Sequence, residues 1–460
     1  MAIFTITAVN PATQEKHNLF YDSSLSTLKW ENGESVIADV KTSQPVEQQK
    51  LDVGKRNLST IKIQLGLLCN FECEYCNQRF VPHADQTNPD DVEPFVNNMH
   101  NWYKGGEDGK GLGTVFEFWG GEPFVYWKTL KPLTEALFLK YPNSKFSVIT
   151  NGSLLDIEKL EWLQKYNFNL GISHDGPGQH VRGPDPFENP SSKEAILETF
   201  KRLAPFQKMS FNPMIHSRNV SRQKIEEYFE NFIKTNLGDE WLQYLAFGEG
   251  GFIDAYDEGG VGTSLTSDEM QIEFRNSAFK ELREGKVNRF NNINKKIMSF
   301  IETIENGTRF ESIRQKCGMD REDNIAIDLN GNVLTCQNVS PVSVNPSGIS
   351  HHLGQVSELE SVEIKTGTHL NDRDECPKCP VVHMCKGGCF FLTGSLWETT
   401  CNNAYSDNIV TFTAAIEIMT GLLPVYIDGP LRDDRKDMYW WVHGKPEHTK
   451  GKKIIPIMSV

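Results

Sequence analysis

IKIQLGLLCNFECEYCNQRF occupies residues 61–80. It begins as an apolar run with the character of a buried strand and ends in a polar loop holding three thiols, Cys69, Cys73 and Cys76. A spacing of three residues and then two suits neither disulfides nor the usual zinc pair. Five more apolar runs of strand length follow: TVFEFW (114–119), KFSVIT (145–150), FNLGIS (168–173), MSFNPMIH (209–216) and WLQYLAFG (241–248). Between them, helical periodicity appears over roughly 90–104, 128–140, 156–166, 192–204 and 222–236. Strands alternating with helices of that length predict βαβ units on a parallel sheet. Six such units fall short of a closed eightfold barrel. The expectation is therefore an α/β fold, a partial (β/α)6 TIM-like barrel, with functional residues where strands end and loops begin.

Outward from that barrel, expected at residues 56–250, the chain changes character. Residues 1–55 read as short strands and turns (FTITAV, HNLFYD, a turn at WENGES), a small N-terminal β appendage. Residues 251–316 read as a helical insertion or bridge, entered through the Gly-rich EGGFIDAYDEGGVG. Residues 317–405 are loop-rich with short strands, the look of a segment held by metal. Residues 406–460 read as one helix (406–422) and a tail with WW and Lys-rich stretches.

The chain has 460 residues and a formal net charge of −14, with no basic block of the kind that grips nucleic acid. No apolar run approaches the length of a membrane span, and MAIFTITAVN lacks a basic region followed by a long apolar stretch. The expectation is a cytoplasmic protein with neither nucleic acid nor membrane as partner. Sequons at Asn57, Asn151, Asn219, Asn306 and Asn338 then carry no weight. Ten cysteines in such a chain are metal ligands or reactive thiols rather than disulfides.

A 4Fe-4S cluster takes up to four thiolates, so three in one short loop can hold three irons and leave the fourth open. For the motif alone, a zinc or structural thiol site is the alternative. C-x3-C-x2-C directly after a strand resembles the radical S-adenosylmethionine (radical SAM) family, in which the open iron is chelated by the amino and carboxylate groups of SAM. Tyr75 matches the aromatic position that lies along the adenine in that family. FWGGEPF (118–124) follows the second strand, and Gly120, Gly121 and Glu122 match the family stretch that hydrogen-bonds the SAM amino group. TNG (150–152) ends the third strand. SHDGP (173–177) ends the fourth and resembles the family's S-x-DGP stretch, which implies contact of Ser173 with the SAM carboxylate. Arg182, in HVRG, falls close to a basic position of the same loop, although the loop's spacing departs from the commoner form.

Seven further cysteines lie in the last third. Cys317 is followed by thirteen residues, Gly331, four residues and Cys336; then come Cys376-x2-Cys379-x5-Cys385-x3-Cys389 and, after a gap, Cys401. An isolated C-x2-C reads equally as a zinc ribbon. The seven-member spacing resembles the SPASM extension of radical SAM enzymes, which implies two auxiliary 4Fe-4S clusters. By that resemblance Cys376, Cys379, Cys385 and Cys401 hold an outer cluster, and Cys317, Cys336 and Cys389 an inner one. The inner cluster is then one protein ligand short, and an iron open to water or substrate is expected. In the similar anaerobic sulfatase maturases an aspartate, the candidate base, follows the cysteine equivalent to Cys336. Here Gln337 stands there, and glutamine cannot take up a proton as a carboxylate does.

The resemblance covers about residues 60–250 and 317–405. It implies an oxidoreductase of the radical SAM/SPASM type that cleaves SAM reductively to a 5′-deoxyadenosyl radical and takes hydrogen from a peptide or protein residue. The first expectation is maturation, by cross-linking or remodelling, of a ribosomally made peptide. The implied cofactors are SAM and three 4Fe-4S clusters. The implied partners are the peptide or protein substrate, a separate peptide-recognition protein, and an electron donor such as flavodoxin or ferredoxin. The alternatives are a sulfatase-maturase-like side-chain dehydrogenase, a quinone-cofactor or small-molecule maturase, and a non-catalytic iron-sulfur or zinc protein.

Overall fold

Alternating buried side chains, Phe4, Ile6 and Ala8, set the first strand against the interior. The computed structural model describes residues 2–38, 57–83, 87–248, 250–345, 348–363, 368–389 and 391–438. Strands β1 (Ile3–Val9), β2 (Lys16–Asp22) and β3 (Thr27–Trp30) form an antiparallel meander. The boundary read at residue 55, and the WW and Lys-rich stretches of the tail, lie outside the described residues.

Next come β4 (Thr60–Gln64), β5 (Val115–Trp119), β6 (Lys145–Thr150), β7 (Asn169–Ile172) and β8 (Met209–Phe211), each parallel to the one before. Helices α1 (Val92–Asn98), α2 (Trp127–Lys140), α3 (Ile157–Lys165) and α4 (Pro190–Leu203) make the crossovers, and α5 (Arg222–Leu237) follows β8. Their starts are capped as the sequence requires: Asp156, Asn189 and Ser221 accept from backbone N–H groups of the first turn. Phe116, Phe118, Phe146 and Phe168 lie on the helix side of the sheet and stack on one another, with Trp162 of α3 4.3 Å from Phe168 between ring centroids. Trp119 and Ile149, of opposite parity, turn to the interior cavity.

Helices α6 (Glu258–Gly262), α7 (Asp268–Arg283) and α8 (Asn291–Glu305) lead to β9 (Asn324–Asp328), β10 (Asn332–Leu334) and β11 (His352–Gln355). The sheet order is β11-β10-β9-β4-β5-β6-β7-β8, with β9 parallel to β4. The short α9 (Val382–Cys385) and the long α10 (Gly394–Thr420) precede β12 (Leu423–Asp428). β12 pairs antiparallel with β1, so the second sheet runs β12-β1-β2-β3.

Three elements depart from the sequence reading. Residues 241–248 are not the sixth strand: Asp239–Tyr244 is a 3-10 turn, and Phe247 alone bridges to Phe211 and Phe290. Gly238 at φ 109° ends α5 there, and Trp241, Tyr244 and Leu245 have a spacing that suits a helical turn as well as a strand. The sixth parallel strand is β9, beside β4. The strand read over 209–216 stops at Phe211, since Pro213 has no N–H to give a ladder. Finally, the last helix starts at Gly394, not near 406. Its first half buries polar residues that neighbours satisfy: Asn403 accepts from Leu265 N (3.2 Å) and Gln271 (3.0 Å), and Arg275 donates to Ser406 (2.8 Å).

Candidate functional site

Beyond Gln64 the chain turns through Gly66 into the cysteine loop. The loop after β5 pairs with it directly: Gly121 N donates to Gly66 O (3.0 Å) and Glu122 N to Leu68 O (2.9 Å). A Cβ on Gly121 would stand 2.4 Å from Leu68 O and 2.5 Å from Leu67 O, so this approach requires glycine. The Glu122 carboxylate, 1% exposed, accepts from Thr150 Oγ1 (2.7 Å), Asn151 N (2.7 Å) and Phe124 N (3.1 Å). Burial pushes its pKa up, and those donors oppose the rise. Asn151 also donates to Asn70 Oδ1 (2.9 Å), tying the end of β6 to the cysteine loop.

The loop after β7 closes over the other side. Ser173 is half-buried and faces the cavity. Arg182 is buried, not a surface side chain; its Nη1 donates to the Tyr75 hydroxyl (2.7 Å) and lies 3.6 Å from Asp175 Oδ1. Tyr75 in turn donates to Asp175 Oδ2. Arg182 Nε is buried without a partner among the described residues. Burial raises the Cys69, Cys73 and Cys76 thiols, Cys73 to about 11, and the Arg182 charge acts against that rise at each.

One cavity of about 520 Å³ is lined by Cys69, Cys73 and Cys76, by Tyr75, Gly120, Gly121, Glu122, Ser173 and Arg182, and by Cys317, Cys336 and Cys389. The four remaining thiols, Cys376, Cys379, Cys385 and Cys401, surround a separate tight enclosure. Gly388 lines both spaces. Lys386, Gly387 and Gly388 all have positive φ (53°, 79° and 55°), a left-handed turn that sends Cys385 to one side and Cys389 to the other. Arg435 lies 3.7 Å from Cys401 Sγ.

The donor chemistry fits iron-sulfur ligation. All ten thiols are free; six line the cavity and four the tight enclosure. Burial raises Cys376 first, and Cys385, Cys379 and Cys401 raise it further. Such a set stays protonated unless a cationic metal centre takes the protons' place. Among the described residues no three His, Cys, Asp or Glu side chains converge closely enough for a single metal ion.

Two residues that the motifs do not mark stand in the same cavity. Asp254 and Glu122 are the carboxylates among its described lining residues. Glu122 is committed to three donors, whereas Asp254 has no hydrogen bond or ion pair among the described residues. Tyr256, beside it, bonds the Cys389 thiol. The one available signal was the position of IDAY in a Gly-rich loop after the last barrel strand. Gln337, 9% exposed, also lines the cavity, its carboxamide oxygen accepting from Lys62 Nζ (3.4 Å).

Residues 63–232 match the radical SAM superfamily model. These residues form a radical SAM domain. Such a domain implies SAM and a 4Fe-4S cluster and marks an enzyme, so the reading of a non-catalytic metal protein falls away. The enzyme is 23% identical over 216 residues to the radical SAM cyclopropyl synthase TigE of Paramaledivibacter caminithermalis, covering 44% of this chain and 43% of that one. It thus spans less than half of that relative's length. It is 24% identical over 355 residues to the cysteine-type anaerobic sulfatase-maturating enzyme of Clostridium perfringens, covering 70% of this chain and 85% of the relative. Native anSMEcpe, solved with bound AdoMet and the Kp18Cys peptide, shares the fold at 20% identity, with a TM-score of 0.53 over 79% of this chain and 99% of that one. Among the described residues no helix is long and apolar enough to cross a membrane.

Proposed function

We propose that the enzyme modifies a side chain of a peptide or protein, cross-linking or remodelling a ribosomally made peptide, with iron-sulfur clusters at all three cysteine sets. The observation that carries this reading is the shared cavity: the SAM-side thiols and the inner thiols face one space large enough for SAM and a substrate residue together. Cys69, Cys73 and Cys76 would hold the cluster that binds SAM; Cys317, Cys336 and Cys389 the inner auxiliary cluster, with one iron open; Cys376, Cys379, Cys385 and Cys401 the outer one. When bound, the reduced cluster and SAM supply a 5′-deoxyadenosyl radical that takes a hydrogen atom from the substrate.

The chain's own part is placement. The backbone around Gly120 and Gly121, braced on residues 66–68, offers the SAM amino group its partners, and Glu122 fixes that loop. Ser173 and the unpartnered Nε of Arg182 are available to the SAM carboxylate. Phe71, Met214, Phe252 and Phe391 supply apolar wall that excludes water from the reacting atoms. Asp254 is the carboxylate free to receive a substrate proton in place of the base that Gln337 cannot be. A separate recognition protein and a flavodoxin- or ferredoxin-type donor complete the proposal.

A peptide or protein substrate is supported by the relative named a sulfatase-maturating enzyme and by the structure sharing this fold, which was solved with a peptide. The second reading, a sulfatase-maturase-like dehydrogenase, is favoured by the 85% coverage of that relative and opposed by Gln337.

Anaerobic reconstitution tests the proposal. About twelve irons in the wild type should fall to about eight in Cys69→Ala/Cys73→Ala/Cys76→Ala, with reductive SAM cleavage lost. Zinc in their place, or about four irons in both proteins, would sink the three-cluster reading.

A further inference from the structure

The interior face of β4 carries two polar side chains, Lys62 and Gln64, 7% and 4% exposed. Gln64 Nε2 donates to Gln337 O (2.8 Å) and to Val339 O (2.5 Å), which pins the turn after Cys336 onto the sheet. Lys62 reaches the same turn. Its Nζ donates to Gln337 Oε1 at 3.4 Å, and that oxygen also accepts from the Cys336 thiol at 3.6 Å. Glu117 is Lys62's partner in register on β5, but its carboxylate accepts from the Trp119 indole N–H (3.1 Å), and among the described residues it forms no ion pair with Lys62.

A buried ammonium whose hydrogen-bond partner is a neutral carboxamide has lost hydration without gaining a counter-charge, and that is unfavourable. The Cys336 thiol shares that acceptor, so a single carboxamide oxygen separates the ammonium from this sulfur. An aspartate in place of Gln337 would pair with Lys62 and cancel it; the carboxamide leaves the charge to act on the sulfurs.

We propose that Lys62 is the counter-cation of the Cys317/Cys336/Cys389 set, a positioning residue that raises the reduction potential of the cluster held there. The inference rests on the three-cluster reading above. Reduction adds one electron, hence one negative charge, and a fixed cation in a low-dielectric wall stabilises the reduced form over the oxidised one.

The test uses full-length enzyme reconstituted anaerobically, with iron analysis and EPR-monitored potentiometry. Cys317→Ala/Cys336→Ala/Cys389→Ala identifies the inner signal by its loss. Lys62→Met is expected to move that signal alone to a more negative potential, or to lose its iron, while Lys62→Arg keeps both. Unchanged potential and iron in Lys62→Met overturns the inference, as does a Lys62→Arg variant that behaves like Lys62→Met, since shape and not charge would then be at issue. A triple-cysteine variant that loses no iron overturns the cluster assignment and the inference together.

Discussion

Arg222 of α5 donates through Nη2 to Asp407 of α10 at 2.5 Å, and both side chains are buried. Lys296 of α8 meets the other carboxylate oxygen at 3.1 Å. Burial works against the ionised Asp407, but Arg222 and Lys296 outweigh it and hold the carboxyl well below its usual range. Asp407→Ala leaves two cations facing each other across α5, α8 and α10. Removing one partner of a buried pair costs about 3–5 kcal/mol, so the urea midpoint should fall sharply. A midpoint within error of wild type would show the pair to be solvated in solution.

Gly121→Ala forces a methyl group into the carbonyls of Leu67 and Leu68. The cysteine loop must shift, and with it Cys69. Reconstituted iron should drop by about four per chain while the auxiliary sets stay filled. Full iron with normal SAM cleavage would mean that the loop gives way without cost.

Asp254→Asn keeps the size of the side chain and removes its capacity to take a proton. Reductive SAM cleavage should persist, whereas formation of modified peptide should fall on the order of 10²–10⁴-fold, the usual worth of a positioned acid or base. Equal loss of both activities would place Asp254 in SAM binding instead.

His351 is 6% exposed, accepts or donates at Nδ1 with Thr335 Oγ1 (2.6 Å), and packs edge-on against Phe391. Burial lowers its pKa to about 4 from the ordinary 6.5. Between those values the unfolded chain binds a proton that the folded chain refuses, so its contribution is intact above pH 6.5 and lost as pH falls towards 4. The loss reaches at most about 3 kcal/mol. Unfolding midpoints measured at pH 7 and pH 5 should therefore differ less in His351→Gln than in wild type.

Much of the site could be read before any coordinates, because its motifs are tied to physical constraints that are local. Gly121 permits a close backbone approach, and six of the clustered cysteines come to line one cavity. What could not be read is long-range. β9 (NIAID) is short and sits within a cysteine-rich segment, and its place beside β4 depends on pairing across the whole barrel. Lys62 looks like the solvent-side residue of an alternating strand; only closure of the sheet over the Cys336 turn buries it. The first half of α10 carries few apolar residues, and its burial follows from hydrogen bonds donated by α7 and the loop before it.

The pairing of β1 with β12, Thr5 opposite Asp428, has a consequence for how the molecule is made. As the chain leaves the ribosome, β1, β2 and β3 emerge well before β12, so the edge of their sheet waits for a segment about four hundred residues later. Closure of so distant a contact is slow and comes late. Every cysteine lies between those two strands in the chain, so metal loading has an interval before the ends join. A nascent chain stalled short of residue 423 would expose the open edge of β1, and it is that species, rather than the finished enzyme, that should aggregate during overexpression.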